Sequence, residues 1–474
     1  NGTASDAVTQ HNAPFTDVSD ALSELAVRVT GKQPLDTDLT AIAALTSATN
    51  KMPYATGAGT WALADLTAAG RAILDDASAD TQLVTLGGSA AGIDGFKYDF
   101  DTVTLLIADT VRTYSNTTAG DYIRTRSEGF SYLVAASGAS DHHVTTGGGL
   151  KLYVLSGADG YNVKAFGAEG VSTDDYAEIQ KTISTARSVG GAVRAPAGTY
   201  SPATTLTFNY TDTTGNSAAD PRGVTFLGDG PQNTIIQAMQ VGAYQLVING
   251  GTDFDALIYN RVGGFSMIAG DGVYGMHIYS AAFGTYDDVH LHNFDVGLRL
   301  ESVLSTVFNR LMVTGEINGV TVLKGTGFSD HNDNTCNSPQ FRLGTGWAVS
   351  GGDISGINFF GLAVQGWGTH SSTAGGLDLT FTGAEGGVGL NIDGAYFEGN
   401  KGDADIQLTN NHATRTVTHI IKGAIFTRLS SSAYVTNNIS LLGTGQQRIT
   451  LIGCHFEALG TYVEDISRQY VNFD

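Results

Sequence analysis

The sequence is poor in cysteine and proline, and each shortage excludes a class of protein. Its 474 residues contain two cysteines, Cys336 and Cys454, which lie far apart in the chain. Two distant cysteines cannot build a disulfide scaffold, and no spacing of cysteine and histidine indicates a structural zinc site. Proline occurs 8 times and glycine 62 times without a G-X-Y period, which excludes a collagen triple helix.

Positive charge is also scarce, which limits the partners of the protein. The chain has 25 Lys and Arg against 46 Asp and Glu, a formal net charge of −21. Such a surface repels nucleic acid and anionic membranes, so we expect neither as a partner. No apolar run is long enough to span a bilayer, and no signal-peptide pattern opens the chain. Because residue 1 is Asn and not Met, we expect a chain that is processed or cut from a longer one.

What the sequence does contain predicts an all-β protein preceded by small modules. Hydrophobic residues make up 42% of the chain, and many glycines stand between β-branched and aromatic stretches. That combination indicates short strands joined by tight turns. We expect three regions: a helical adaptor segment over residues 1–90, a small β-domain over 91–160, and a longer repetitive domain over 161–474.

The adaptor segment carries short amphipathic stretches. In DVSDALSELAVRV, Val18, Leu22, Leu25 and Val29 recur at helical spacing. Such faces are too short to bury themselves alone, so we expect a partner chain to complete them.

The small β-domain has a period of two in TVTLLIA, DYIRTRS, FSYLVAA and GLKLYVL, which is typical of strands. Its segment ASDHHVTTGGG carries Asp141, His142 and His143, a possible metal site. Adjacent histidines in a strand point to opposite faces, so the pattern favours a structural turn, and we expect no bound metal.

The third region opens with GAEGVSTDDYAEIQ, residues 167–180, whose adjacent aspartates raise two possibilities. Paired carboxylates perform glycoside hydrolysis, but the same residues also stabilise the start of a helix. Thr173 or Asp174 is placed to cap a helix near residues 174–188, and Asp175 and Glu178 suit its positive end. An apolar stripe follows at Ile179, Ile183 and Ala186. We therefore expect a helix start here and no active site.

The longer run VKAFGAEGVSTDDYAEIQKTISTARSVGGAVRAPAGTY, residues 163–200, resembles the opening motif of pectate-lyase-like right-handed β-helices. Upstream, KQPLDTDLTAIAAL and NKMPYATGAGTWALADL resemble adaptor segments of bacteriophage tail fibres and tailspikes. EGFSYLVAASGASDHHVTTGGGLKLYV is similar to the small domain that precedes the body of many tailspikes. The resemblance implies a right-handed parallel β-helix over residues 161–474, with the helix near 174–188 covering the open end of the first coil.

Internal repeats support a β-helix independently. GMHIY, GLRLE and GVTVL begin at Gly275, Gly297 and Gly319, at intervals of 22 residues, the length of one coil with two strands and their turns. GAYFE, GAIFT and GCHFE follow at intervals of 29 and 30 residues. Their phenylalanines, Phe397, Phe426 and Phe456, are expected to stack in one interior column.

In a β-helix, equivalent positions in neighbouring coils lie about 5 Å apart, so the repeat predicts rows of outward side chains. Two rows are expected on one strand, Ser266–Asp288–Arg310 and Ile268–His290–Met312. Two more are expected on the other, His277–Arg299–Thr321 and Tyr279–Glu301–Leu323.

Two clusters are candidates for catalysis of polysaccharide cleavage. Hydrolysis needs two carboxyl groups, and the turn acids Asp271, Asp295 and Glu316 recur near successive coil glycines, although turn chemistry explains them equally well. A lyase that acts on a uronic acid needs a cation and a base, which Arg310 and His290 can supply. The residues grouped with this second cluster are Asp288, His292, Arg299 and Glu301; an outward polar surface or structural ion pairs explain the same pattern.

Further residues are candidates for substrate binding. Asp330 and His331, with Asp333, lie in the aperiodic loop FSDHNDNTCNSPQF, and Trp347 and Trp367 offer aromatic faces to sugar rings. Loop acids are commonly just solvated, and tryptophans are commonly core residues. Glu398 and Glu457 follow the repeated phenylalanines, which indicates a structural column. No motif for a cofactor stands in a suitable context.

The resemblance to tailspikes implies a function and an assembly. We expect a homotrimer in the virion tail, attached through its N-terminus to other tail proteins, acting outside the cell on a bacterial capsule or O-antigen. Endo-glycosidic hydrolysis is the leading hypothesis. The alternatives are a polysaccharide lyase and a receptor-binding fibre that grips polysaccharide without cutting it.

Overall fold

A computed structural model describes most of the chain, and it divides into two compact units, Asn1–Lys97 and Tyr98–Asp474. The described residues are 18–27, 36–75, 96–171, 174–209, 223, 225–250, 257–315, 317–323, 334–352, 354–368, 374–381, 388–427, 435, 437–457, 461–465 and 470–473.

The first unit contains helices over residues 18–27, Thr37–Ala43 and Ala68–Asp75 and one hairpin, Lys51–Gly57 with Thr60–Asp65. Asp38 joins the second helix to the hairpin, since its carboxylate accepts hydrogen bonds from Gly59 N and Trp61 Nε1. The predicted helix in DVSDALSELAVRV is present, and its Val18, Leu22 and Leu25 are each more than half exposed. Val29 lies outside the described residues.

The second unit begins with a five-stranded sheet and a short helix, Val103–Ala108. The strands are Tyr98–Phe100, Tyr122–Thr125, Ser131–Val134, Val144–Thr145 and Lys151–Val154.

Asp141, His142 and His143, considered above as a metal site, directly precede the strand Val144–Thr145 and have separate partners. Tyr153 donates to Asp141, His142 contacts Ala139 O and Thr145, and His143 Nδ1 accepts from Val154 N. The prediction of a structural turn agrees with these contacts.

Two long parallel sheets follow and form a right-handed parallel β-helix. The strands of the first sheet are Tyr161–Asn162, Ala192–Ala195, Gly198–Tyr200, Thr225–Gly228, Thr234–Gln237, Arg261–Ile268, Thr285–His292, Val307–Asn309, Met312–Thr314, Asn334–Asn337, Gln340–Arg342, Ile357–Gln365, Val388–Glu398, Val417–Thr427, Gln447–Ile452, His455–Phe456 and Tyr470–Phe473. The strands of the second sheet are Leu206–Asn209, Tyr244–Asn249, Leu257–Ile258, Tyr274–Ala282, Val296–Leu304, Asn318–Leu323, Trp347–Gly351, Gly375–Phe381, Ala404–Asn410, Asn437–Leu442 and Thr461–Asp465.

The first sheet turns a corner at one residue per coil. That residue has a positive φ in successive coils, which changes the direction of the strand. Glycine adopts this conformation most easily, and other residues adopt it with backbone strain. This corner column consists of Gly264, Asp288, Arg310, Ser338, Gly361, Gly394, Gly423 and Gly453.

The strand register confirms part of the predicted stacking and corrects the rest. Met276, Leu298 and Val320 pair in turn, which confirms the 22-residue coils. In the first sheet, however, Ser266 pairs with His290, and Ile268 pairs with His292. The predicted rows that began at Ser266 and Ile268 were therefore wrong by two residues, because the step from Gly263 to Asp287 is 24 residues, whereas the next step, from Asp287 to Asn309, is 22.

The core of the β-helix is a continuous apolar cluster between the sheets. The ring centroids of Phe397 and Phe426 lie 4.9 Å apart and those of Phe426 and Phe456 lie 4.8 Å apart, with nearly parallel planes. This arrangement confirms the predicted interior column.

The helix predicted near residues 174–188 spans Tyr176–Val189 and covers the first coil. Its Ile179, Ile183 and Ala186 are buried, as the apolar stripe predicts. Gln180 completes the cover: its amide accepts from Thr207 N and donates to Thr207 O, both at 2.9 Å. The side chain thus replaces a neighbouring strand at the free edge of the second sheet.

The two aspartates at the start of this capping helix are engaged by backbone groups. Asp174 accepts from Tyr176 N and from Ala203 N, each at 3.0 Å, and these bonds hold the pKa of its carboxyl below the usual range. Asp175 accepts from Glu169 N at 2.7 Å, and burial raises the pKa of its carboxyl. Thr173, the other predicted cap, lies outside the described residues.

One histidine is fully buried in the core. His419 Nδ1 accepts from Leu390 N at 3.1 Å, and its Nε2 lies 3.0 Å from Gln447 Oε1, so the neutral ring with a proton on Nε2 satisfies both neighbours. Burial lowers the pKa of His419 to about 4.

Folding stability is therefore expected to fall on acidification. The pKa of His419 is about 4 in the folded state against about 6.5 in the unfolded chain, so the unfolded state binds the proton first. This contribution is complete above about pH 6.5 and is lost towards pH 4, at up to about 1.4 kcal/mol per pH unit. Thermal unfolding midpoints measured from pH 8 to pH 4 test this: His419→Gln is expected to flatten the profile. His455→Gln, at an exposed histidine, is the control; equal slopes in the two variants would contradict the assignment.

Candidate functional site

A patch of aromatic and charged side chains covers the outer face of the second sheet. The register places His277 beside Arg299 and Thr321, and Tyr279 beside Glu301 and Leu323, the two rows predicted for this strand. Tyr274 lies on the same strand as His277 and Tyr279 and pairs with Tyr244 of the coil before. We define the tyrosine–histidine patch as Tyr244, Tyr274, His277, Tyr279, Arg299 and Glu301.

One carboxylate oxygen holds the charged part of the patch together. Glu301 Oε2 lies 2.8 Å from Arg299 Nη2, 3.1 Å from Arg299 Nε and 3.2 Å from His277 Nε2. The three side chains are between 18% and 34% exposed, so they remain accessible while water is partly excluded. Charge-assisted hydrogen bonds are stronger under these conditions than on an open surface.

Aromatic rings surround His277. Its ring centroid lies 4.9 Å from that of Tyr244 and 5.7 Å from that of Tyr279, and Tyr244 lies 5.1 Å from Tyr274. These rings fix the imidazole plane and offer apolar surface next to polar groups, the combination that sugar rings require.

The environment keeps His277 neutral and orients its proton. Burial, and next the positive charge of Arg299, lower the pKa of His277, while Glu301 acts in the opposite direction. Because a carboxylate can only accept, the Nε2 of a neutral His277 carries the proton and donates it to Glu301. Nδ1 then has its lone pair available, and we find no partner for it in the described part of the chain. The Nδ1 atom of a neutral His277 can therefore accept a proton, as a general base does.

The structure divides the second predicted cluster between the two sheets. Asp288, His290, His292 and Arg310 belong to the first sheet, whereas Arg299 and Glu301 belong to the second. They do not form one site.

Asp288 and Arg310 neutralise each other at the corner. Arg310 Nε donates to Asp288 Oδ1 at 2.5 Å and Nη2 donates to Oδ2 at 2.6 Å. The bidentate pair holds the pKa of the Asp288 carboxyl below its usual range, so this group cannot act as a general acid near neutral pH. Both residues occupy the corner column with positive φ, which points to a structural ion pair.

His290 and His292 lie side by side on the same sheet, with ring centroids 6.2 Å apart. His292 Nδ1 contacts Thr314 Oγ1, and burial lowers the pKa of both imidazoles. His290 is thus a neutral base, but the cation predicted beside it, Arg310, is already paired with Asp288.

The turn acids are partly engaged. Asp295 Oδ1 accepts from Gly272 N at 3.0 Å, so it ties its turn to the preceding coil. Asp271, the residue before Gly272, is exposed. Glu316 lies outside the described residues, so the proposed ladder of three acids stays a prediction.

The substrate-binding candidates have mixed outcomes. Trp347 is 7% exposed and Trp367 is fully buried, so neither can stack on a sugar ring, and this prediction was wrong. Both fill space beside glycines: a Cβ on Gly344 would meet Trp367 at 1.9 Å, and one on Gly375 would meet Trp347 at 2.6 Å. Asp330 and His331 lie outside the described residues, as does Asp333.

Sequence reasoning missed two parts of this face. Tyr279 was part of a predicted row, but Tyr244 and Tyr274 were not recognised, because Tyr244 precedes the clear 22-residue repeats. Asp378 was also missed; it continues the row of His277 and Arg299 through Thr321 and Ser350. Burial raises the pKa of the Asp378 carboxyl, and Gln407 Nε2 donates to it at 3.1 Å.

The described residues contain neither a candidate metal cluster nor a candidate membrane-spanning helix. Among these residues, no three His, Cys, Asp or Glu side chains are grouped so that they could hold a metal ion. Within the same ranges, none of the helices combines the length and the apolar composition needed to cross a membrane.

Comparison with known proteins identifies relatives by fold. No protein-family model matches the sequence, and no curated protein matches it. The tailspike protein of Acinetobacter phage vB_ApiP_P1 superposes with a TM-score of 0.55 at 14% identity, over 80% of this chain and 70% of that one. ORF18 of Geobacillus virus E2 superposes with a TM-score of 0.50 at 17% identity, over 80% and 74%.

A third solved structure is the enzymatically active domain of tailspike protein 2 from bacteriophage CBA120. It superposes with a TM-score of 0.50 at 13% identity over 82% of this chain, which spans 57% of that domain. At these identities the likeness establishes the fold: the chain has the right-handed parallel β-helix of phage tailspike proteins.

Proposed function

We propose that the protein is a phage tailspike that binds and cleaves a bacterial surface polysaccharide, a capsule or an O-antigen. Its fold is that of solved tailspikes, one of which is described as enzymatically active. It acts outside the cell from the virion tail, attached through its N-terminus to other tail proteins. The observation that carries the proposal is the contact of Glu301 with both His277 and Arg299 on an exposed sheet face.

The patch favours cleavage by β-elimination at a uronic acid. His277 Nδ1 removes the proton from C5, the electron pair forms the C4–C5 double bond, and the C4–oxygen bond of the glycosidic link breaks. Arg299 stabilises the negative charge that develops on the uronate carboxylate, since its guanidinium has donors beyond those used by Glu301. The hydroxyl of Tyr244 or Tyr279 supplies a proton to the leaving oxygen.

Endo-glycosidic hydrolysis is the second candidate, and the turn acids support it. Neighbouring coils place equivalent groups about 5 Å apart, the separation of the two carboxyl groups in retaining glycosidases. Asp271 and Asp295 stand in the turns before two neighbouring coils, with Asp295 level with Val273, two residues beyond Asp271. Glu316 lies outside the described residues. The patch as defined contains one carboxyl group, that of Glu301. Asp378 is three coils from the coil of Glu301, about 14 Å, against the roughly 5–9.5 Å that hydrolysis requires.

The products of cleavage distinguish these reactions. We expect purified capsule from a sensitive host to yield both new reducing ends and absorbance of the unsaturated uronate. Reducing ends without that absorbance would indicate hydrolysis, with Glu316→Gln and Asp271→Asn then expected to abolish activity. Binding without either product would leave a receptor-binding fibre and contradict the enzymatic proposal.

Replacing the general base tests the patch directly. His277→Gln is expected to lower kcat/KM by about 10²- to 10⁴-fold, the usual contribution of general acid–base catalysis, with little change in thermal stability. His455→Gln, at an exposed histidine of the first sheet, is the matched control and should retain full activity. Full activity of His277→Gln would remove this residue from the mechanism.

The pH profile tests the role of Glu301. Activity should fall as the pH decreases through the lowered pKa of His277, because only the neutral ring accepts a proton. Glu301 raises that pKa, so Glu301→Gln should move the acidic limb to lower pH as well as reduce the maximal rate. A merely structural role for Glu301 would reduce the rate without moving the limb.

We also propose that the chain assembles as a homotrimer. Val18, Leu22 and Leu25 on the helix over residues 18–27 form an apolar face that stays exposed among the described residues of its unit. Native mass spectrometry of the full chain is expected to give three copies per particle, and replacing these three residues by Ser should weaken the assembly. A monomeric wild-type chain would contradict this proposal.

A further inference from the structure

A cleft of about 590 Å³ opens on the first sheet, away from the tyrosine–histidine patch on the second. The turn over residues 156–160 and Tyr161 form one side, and the end of the capping helix forms another. Arg194, Leu227 and Arg261 line it from the first coils. Its volume lies within the range of small-molecule sites, about 300–1,000 Å³.

The turn that forms one wall is preformed. Gly157 N donates to Gly160 O at 2.9 Å, and Gly160 N donates back to Gly157 O at 3.2 Å. Gly160 has a φ of +104°, and a Cβ at this position would lie 2.3 Å from Ala192 O. Only glycine permits this approach, so the turn is held against the first coil and the cleft exists without a ligand.

The two arginines of the cleft differ in their partners. Arg194 forms an ion pair with Asp229, which also accepts from Ala197 N at 2.9 Å. Arg261 is exposed, and in the described ranges neither a hydrogen bond nor an ion pair engages its guanidinium. Asp159 also lines the cleft, and the chain as a whole has a net charge of −21. The guanidinium of Arg261 is therefore the group of this cleft that can attract an anion. Its planar fork suits a carboxylate in particular.

Apolar surface stands beside that charge. Tyr161 is held by ring contacts with Phe166 and His143 at 6.1 and 6.3 Å between centroids, and Leu227 also lines the cleft. A sugar ring has apolar C–H faces as well as hydroxyls, so a fixed aromatic ring, a leucine and a guanidinium together suit an acidic sugar better than a bare anion.

We propose that this cleft binds the carboxylate of an acidic sugar unit through Arg261, with Tyr161 and Leu227 against the sugar ring. The inference rests on the proposed function in one respect: the ligand is a unit of the same polysaccharide that the patch cleaves. The cleft then holds the polymer at a second point, which raises the effective concentration of neighbouring units at the cleavage site.

Binding of small probes to the full-length protein tests the cleft. The probes are methyl glucuronide, the uncharged methyl glucoside and inorganic phosphate, followed by ligand-observed NMR titration. We expect methyl glucuronide to bind and methyl glucoside to bind at least about tenfold more weakly, because a charge-assisted contact is lost. Arg261→Gln should weaken glucuronide binding about 10- to 100-fold, and Arg261→Lys should recover part of it.

Arg448→Gln is the matched control, since Arg448 is an exposed arginine of the same sheet at the other end of the β-helix. It should bind methyl glucuronide like the wild type, and all variants should share one unfolding midpoint. No glucuronide binding by the wild type, or equal binding by Arg261→Gln, would overturn the proposal. Phosphate that binds as tightly as glucuronide would overturn the assignment to a sugar.

The outcome does not depend on cleavage. If the protein cleaves no polysaccharide, the probe titrations still decide whether the cleft binds an acidic sugar. If it cleaves, Arg261→Gln should raise KM for the polymer and leave kcat unchanged, whereas His277→Gln should lower kcat. A lowered kcat in Arg261→Gln would place Arg261 in the cleavage step and contradict a separate binding cleft.

Discussion

Parallel backbone hydrogen bonding between successive coils is the interaction on which this structure depends. Strands in the interior of the two long sheets pair in register with the coil before them and the coil after them. The pairing leaves a free edge at the first coil, where unpaired backbone groups would invite another chain. The capping helix covers that end, and the amide of Gln180 bonds Thr207 as a strand would.

Because the coils stack in register, residues at equivalent positions of successive coils form columns. Inside, the column of Phe397, Phe426 and Phe456 stacks ring on ring at about one strand spacing. At the corner, the same stacking brings Asp288 against Arg310, two non-glycine residues in a conformation that glycine prefers. The ion pair offsets part of the backbone strain at that position, and it also removes both groups from chemistry at neutral pH.

The candidate site and the cleft use the outer faces of different sheets. On the second sheet, register brings His277, Arg299 and Glu301 from neighbouring coils into contact and creates a neutral, oriented imidazole. On the first sheet, the exposed Arg261 lines the cleft together with Tyr161. A stack of coils repeats its surface positions, so one polymer chain can contact several of them, which is consistent with a polysaccharide ligand.

Much of the fold was predictable, because a β-helix repeats its core pattern at the length of a coil. Gly275, Gly297 and Gly319 set the 22-residue interval, the three phenylalanines set the later one, and the DDYAEIQ stretch marked the capping helix. The site was less predictable. A coil of 24 residues, two more than the 22-residue repeat, displaced the predicted rows of Ser266 and Ile268. A strand that is shifted by two keeps the same faces, so the error leaves no trace in the pattern.

Composition, period and motif order in the sequence alone therefore determined the β-helix, its capping helix and its acidic character. They could not determine which titratable groups meet. Asp288, His290, Arg299 and Glu301 are near neighbours in the chain, but the turn between strands places them on two sheets. Trp347 and Trp367 have aromatic faces that suit sugar rings, yet both are buried. Their rings occupy the space that a side chain at Gly375 or Gly344 would fill. Contact and burial depend on residues one coil away, more than twenty positions along the chain, and only the stacked structure brings those residues together.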